Sequence, residues 1–159
     1  MKLLGIFLDD EHFPKDVTWV TYEKEHRKVL LDGTVCTIIP RAADFFFFVS
    51  ITNKLDFKDF IISFDHDIQS YNYLGDEITG FDCLKFLVDR LLDLEVSVDE
   101  LPALYFHTQN PVGKKNMESY WNNFVDCVKK GYSPLPGKQA EMILTDVELK
   151  DYILGGFRG

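Results

Sequence analysis

Two groups of acids in this chain each follow an apolar run with no polar transition. Leu3-Leu4-Gly5-Ile6-Phe7-Leu8 stops at Asp9-Asp10-Glu11, and Phe60-Ile61-Ile62-Ser63-Phe64 stops at Asp65-His66-Asp67. Neighbouring carboxylates repel one another unless a cation or a protein base neutralises them. A hard divalent ion such as magnesium suits them, because it prefers oxygen ligands and keeps waters that substrate phosphates can replace. Taken singly, each group also fits an exposed acidic turn or a cap, with His66 a satisfied structural histidine. Taken together they bring four or five carboxylates to two strand ends, and a metal site becomes the better reading. In an extended chain Asp65 and Asp67 point to one side and His66 to the other.

A third constellation runs Phe106-His107-Thr108-Gln109-Asn110-Pro111-Val112-Gly113-Lys114-Lys115-Asn116. A strand end is followed by a hydroxyl, a carboxamide and a helix start with Gly113 and two lysines in its first turns. Free N–H groups there favour an anion, and Lys114 and Lys115 add positive charge. His107 is a natural proton donor or acceptor near neutral pH. Asn110 as an N-cap and the lysines as a solvated face account for the same residues structurally, and capping is compatible with anion binding. Acids for a metal beside a basic helix start describe a phosphate site, since a bound metal reverses the local field of an acidic domain. His12 and His26 lie in polar, irregular sequence and receive no role.

The elements that must position these groups follow from hydropathy and punctuation. Leu3 to Leu8, Thr34 to Ile39, Phe60 to Phe64 and Leu104 to Phe106 read as strands, and the nearly continuous apolar runs imply burial on both faces. Residues 12 to 33 are mixed and polar. The Phe-rich stretch Ala42 to Thr52 reads as a helix because it lies between two strands. Ile68 to Ile78 reads as a loop long enough to act as a flap. Thr79 N-caps a helix with Asp82 at N3, Pro111 opens another, and Gly131 closes it. Alternating strands and helices predict a mainly parallel sheet with helices on both faces, whose ligand site lies outside the strand C-termini. Residues 1–131 form this domain, and 132–159 form an extension with a short helix over about Thr145 to Leu154.

Composition bounds the function classes. The chain has 159 residues with 46% apolar residues, enough for one well-packed domain. Its 17 Lys plus Arg against 26 Asp plus Glu give a formal net charge of −9. That argues against coating long nucleic acids through their phosphates. Cys36, Cys83 and Cys127 are odd in number and widely spaced, which argues against a disulfide scaffold or zinc ribbon and for a reducing cytoplasm. No run reaches membrane-spanning length.

At LDDE (Leu8 to Glu11), SFDHD (Ser63 to Asp67), TGFDCL (Thr79 to Leu84) and FHTQNPVGKKNM (Phe106 to Met117) the sequence resembles the cyclic-phosphate-processing receiver-like domains. These are relatives of response-regulator receivers found in bacterial RNA-repair and conflict settings and in phages. The resemblance covers about residues 1 to 130 and implies an α/β, flavodoxin/receiver-like three-layer sandwich with the acidic pocket at its strand ends. It places Asp9, Asp10 and Asp65 where receivers bind magnesium and accept a phosphoryl group, and Thr108 where a receiver carries its strand-four hydroxyl. No clear fifth strand ends in the receiver's lysine, for which Lys114 or Lys115 is the available substitute. His66, Asp67 and His107 are not receiver-like and point to acid–base chemistry.

The expectation is a metal-dependent phosphoesterase processing cyclic phosphate ends or cyclic nucleotides. Asp9, Asp10, Asp65 and Asp67 would hold Mg2+ or Mn2+. His66 and His107 would act as base and acid beside Asp65, and Thr108, Asn110, Gly113, Lys114 and Lys115 would hold the phosphate. The alternatives are a sensor or sponge that holds a cyclic nucleotide intact, and a receiver phosphorylated at Asp65. The extension, free to dock on the sheet's open edge or to exchange between subunits, leaves a homo-oligomer open.

Overall fold

The computed structural model describes residues 3–131. Four strands, β1 (Leu4–Leu8), β2 (Cys36–Ile39), β3 (Phe60–Phe64) and β6 (Ala103–Phe106), form a parallel sheet in the order β2-β1-β3-β6. The register runs Leu8 opposite Ile39 and Phe64, and Phe64 opposite Phe106, so all four strands stop at one edge. All five residues of β3 are buried, as a strand covered on both faces requires. The predicted α/β sheet is therefore the observed one. The extension and its expected helix lie outside the described residues.

Two elements differ from the expectation. Helix α1 (Lys24–Leu31) lies within the stretch read as irregular, and it supplies the crossover that parallel β1 and β2 need. The stretch read as a loop, 68 to 78, contains a small antiparallel hairpin, β4 (Ser70–Tyr71) with β5 (Glu77–Ile78). The hairpin is tied down at its base. Gln69 Nε2 donates to Glu11 Oε1 at 3.2 Å, and the Ala42 N–H donates to Ser70 Oγ at 3.2 Å.

The Phe run resolves into helix α2 (Ala42–Ile51), with Ala42, Phe45, Phe46 and Val49 buried. That i, i+3, i+4, i+7 spacing is one helical face. It packs on α3 (Gly80–Asp93), where Phe46 stacks on Phe86 at 4.7 Å, and on the sheet, where Phe45 meets Phe64 edge-on at 5.4 Å. With α4 (Pro111–Lys129), these helices cover Ile6, Leu8, Ile62, Phe64 and Phe106 in one apolar core. The opposite sheet face meets α1, whose Leu30 lies over Gly5.

The helix starts follow the expected chemistry. The Asp82 N–H donates to Thr79 Oγ1 and the Thr79 N–H to Asp82 Oδ2, a reciprocal capping box. Asn110 Oδ1 accepts from the Gly113 N–H at 3.0 Å, with Pro111 at the first helical position, and Gly131 ends α4 at φ +71°. Gly80 has a further reason to be glycine. A Cβ there would run into the Asp65 carbonyl, while its N–H donates to the His66 carbonyl at 2.7 Å. The start of α3 is thus fastened to the turn that carries Asp65. No helix among the described residues is long and apolar enough to cross a membrane.

Candidate functional site

The sheet ladder runs one residue past the strands and delivers three of the expected residues. The Asp9 N–H donates to the Ile39 carbonyl, the Asp65 N–H to Leu8 and the His107 N–H to Phe64. Asp9, Asp65 and His107 are thereby set side by side at the edge. Asp9 is 2% exposed and its carboxylate has protein partners at both oxygens. Oδ1 accepts from the Glu11 and His12 N–H groups at 2.8 and 2.9 Å, and Oδ2 lies 2.9 Å from His107 Nε2 and 3.3 Å from His12 Nδ1. Burial alone would push its carboxyl up. The bonds from His107 and the two N–H groups outweigh that and hold it below the usual carboxylate range.

Its neighbours behave oppositely. Burial, followed by the charge of Asp9, raises the Asp65 carboxyl, against hydrogen bonds from the His66 N–H and the Thr108 hydroxyl. Burial, together with the charges of Glu11, Asp9 and Asp65, raises that of Asp10. Ligand atoms of Asp9, Asp10 and Asp65 all lie within 4.8 Å of one another. An all-carboxylate donor set with two members resisting ionisation is chemically fitted to Mg2+ or Mn2+, whose charge would remove the repulsion.

Asp67 is not in that group. The chain turns after Phe64, so the extended geometry that would align Asp67 with Asp65 does not persist. Its Oδ1 lies 2.8 Å from His66 Nδ1, and its Oδ2 accepts from Asn110 Nδ2 at 3.3 Å. The His66 bond holds the Asp67 carboxyl low, burial opposes it, and the Asn110 bond assists. The His66 ring packs against the first turn of α4, where a Cβ on Gly113 would sit 2.7 Å from it. Position 113 is glycine because an imidazole occupies the space.

A cleft of about 340 Å³ opens over this edge. Its walls combine the carboxylates of Asp9, Glu11, Asp65 and Asp67 with His12, Trp19, His107, Thr108, Gln109 and Asn110. Of the residues expected to hold phosphate, Thr108 and Asn110 line it, whereas Gly113, Lys114 and Lys115 do not. The Gly113 N–H is spent on the Asn110 cap and the Lys114 N–H on the Asn110 carbonyl, so neither is free for an anion. Asp10 and His66 lie outside the walls as well.

Sequence reasoning gave His12 no role and did not single out Trp19. Both line the cleft, edge-to-face at 5.6 Å, and Trp19 Nε1–H donates to the His107 carbonyl at 2.6 Å. Their signal was position alone, within ten residues of the first acids. His26 lies elsewhere, its Nδ1 2.8 Å from the Tyr105 hydroxyl.

His107 is 1% exposed and held on every side. Phe7 stacks on its ring at 4.2 Å and 7°, Nε2 faces Asp9, and Nδ1 lies 2.7 Å from Ser63 Oγ. The Ser63 hydroxyl in turn lies 2.9 Å from that of Tyr22.

No curated protein and no solved structure matches the chain. A family model described as the cyclic-phosphate processing receiver domain matches residues 4–123, which takes in every strand of the sheet, both acid groups and the first part of α4. With the parallel sheet, and with acids gathered at its strand ends, the chain belongs to the cyclic-phosphate processing receiver domain family.

Proposed function

We propose that this domain is a metal-dependent phosphoesterase acting on a cyclic phosphate, at an RNA end or in a small cyclic nucleotide. One observation carries the reading. The cleft walls hold four carboxylates and, among the described residues, no lysine or arginine. An anionic phosphate entering there needs a cation, and Asp9, Asp10 and Asp65 are the residues that would hold it. A bound Mg2+ or Mn2+ would polarise the phosphoryl group and lower the pKa of a bound water.

The chain's own groups divide the remaining work. Thr108 and Asn110 line one wall, where the Asn110 amide has a second N–H beyond the one given to Asp67, and Gln109 is exposed beside them. The base or acid role expected of His66 and His107 passes to His12. His107 has both ring nitrogens committed inside the protein and His66 faces α4, whereas His12 lines the cleft with 36% of its side chain exposed. Trp19, fixed by its N–H, presents an indole surface suited to stacking a nucleobase, which favours a nucleotide over a bare phosphate.

The test is to incubate the pure protein with 2′,3′-cyclic nucleotides, oligonucleotides ending in a cyclic phosphate, and cyclic oligonucleotides, with Mg2+, Mn2+ or a chelator. Metal-dependent ring opening that disappears in Asp65→Asn is expected. No turnover of any member overturns the proposal. Intact ligand recovered in stoichiometric amount would make the domain a sensor, and a covalent acyl-phosphate on Asp65 from a small phosphodonor would make it a receiver.

A further inference from the structure

Ser63 is the only polar residue in the five of β3, and it is wholly buried. A hydroxyl in that position is costly unless it is bonded, and an alanine would pack there without the cost. The Ser63 hydroxyl has two side-chain partners drawn from distant parts of the chain, Tyr22 at 2.9 Å and His107 at 2.7 Å.

The donors in this chain can be ordered from its far end. Asp9 Oδ2 is an acceptor, so the proton between it and His107 belongs to Nε2. Nδ1 then carries no proton and accepts, so its partner Ser63 must donate to it. The Ser63 hydroxyl has one proton to give. Accepting from Tyr22, it gives that proton to Nδ1, and every donor is then used once: Tyr22 to Ser63, Ser63 to His107, His107 to Asp9. The opposite tautomer would point a lone pair of Nε2 at a buried carboxylate oxygen, and the two would repel. The Phe7 stack holds the plane of the ring, and the Trp19 bond to the His107 carbonyl holds its backbone.

We propose that Tyr22 and Ser63 are positioning residues that hold the His107 ring through Nδ1, with its Nε2–H on Asp9, and so lock the Asp9 carboxylate in the orientation that faces Asp10 and Asp65. For its consequence this rests on the reading of Asp9 as a metal ligand. The hydrogen-bond order itself does not. Outer groups that orient a ligand typically change metal affinity by about 10-fold to 100-fold when removed.

Two measurements on the full-length protein separate the claims. In metal-free, 15N-labelled protein, ring-nitrogen NMR should show His107 with a protonated Nε2 and a bare Nδ1. In Ser63→Ala the bare Nδ1 signal should move as its hydrogen bond is lost, and in Tyr22→Phe, a change that removes one oxygen, it should move less in the same direction. Calorimetric titration with Mn2+ alone should show affinity weakened about 10-fold or more in Ser63→Ala and less in Tyr22→Phe. A protonated Nδ1 in the unmodified protein overturns the relay, as does an unchanged Nδ1 signal in Ser63→Ala. If the unmodified protein shows the expected tautomer but takes up no Mn2+, the metal reading of Asp9 falls while the hydrogen-bond order stands.

Discussion

On one face of the sheet Ile6, Leu8, Ile62, Phe64 and Phe106 pack against α2, α3 and α4, and no polar side chain of these strands intrudes. On the other, Phe7, Ser63 and Tyr105 stand in register across three strands, and around them lie Tyr22, His26, His107 and a single short helix. The two faces are alternate residues of the same strands. The first is stabilised by area, spread over many contacts, any one of which contributes a part. The second is specified by hydrogen bonds that each have one partner, so a single lost hydroxyl leaves another group unmatched. A fold divided in this way keeps stability on one face and leaves the other free to aim groups at the cleft.

The largest effect should come from the apolar face. Phe64 is fully buried between Phe45 and Phe106, and Phe64→Ala should cost about 3–5 kcal/mol in urea unfolding. The residue before it on the same strand, facing the other way, should behave differently. Ser63→Ala should cost about 1–3 kcal/mol, since it leaves the buried Tyr22 hydroxyl and His107 Nδ1 without their partner, yet it should weaken Mn2+ binding as described above. If Ser63→Ala proved as destabilising as Phe64→Ala with metal affinity unchanged, the division between the faces would be wrong.

How far this arrangement is legible in the sequence depends on whether its cause is local. The acid groups are legible because an apolar strand that stops at carboxylates delivers them to a known edge of a parallel sheet. The caps at Thr79 and Asn110 are legible because three-residue spacing sets them. Helix α1 is not, since Lys24 to Lys28 are all charged or polar and Leu30 is the one residue it buries. Its position comes from the need to connect two parallel strands. The relay is not legible either, because Tyr22 and Ser63 are 41 residues apart and Ser63 and His107 are 44 apart. The only local hint is one serine inside an apolar run. The start of α4 is legible only in part for a related reason: the cap that makes it recognisable also uses the Gly113 and Lys114 N–H groups.

A smaller effect, opposite in sign, is expected at the junction of the faces. Burial and the Asp9 charge raise the Asp65 carboxyl, so the folded protein holds that proton more tightly than the unfolded chain. Its contribution to stability is fully present below the unfolded value of about 3.9 and is lost as pH rises through the folded one. At neutral pH the ionised side chain therefore opposes folding. Asp65→Asn, which keeps an oxygen for the His66 N–H, should raise the melting temperature in chelator at neutral pH and leave it nearly unchanged near pH 4. A melting temperature at neutral pH equal to or below that of the unmodified protein would mean that the carboxylate is not strained, and the case for a cation there would weaken.

The smallest effect concerns two thiols, one on each face. Cys83 lies in the apolar core and Cys36 beside Gly5 on the α1 face. Burial pushes the Cys36 thiol up to about 11 and raises that of Cys83 well above its usual value. Since the thiolate is the nucleophile, only about one Cys36 in a thousand is reactive near pH 8. Iodoacetamide should therefore leave both unmodified in the native protein at that pH, as mass spectrometry of the two peptides would show. Raising the pH should label the half-buried Cys36 progressively, while Cys83 should stay unlabelled until the core opens. Equal labelling of the two would mean that the α1 face is as tightly closed as the core, and that its few hydrogen bonds hold it as firmly as packed area holds the other.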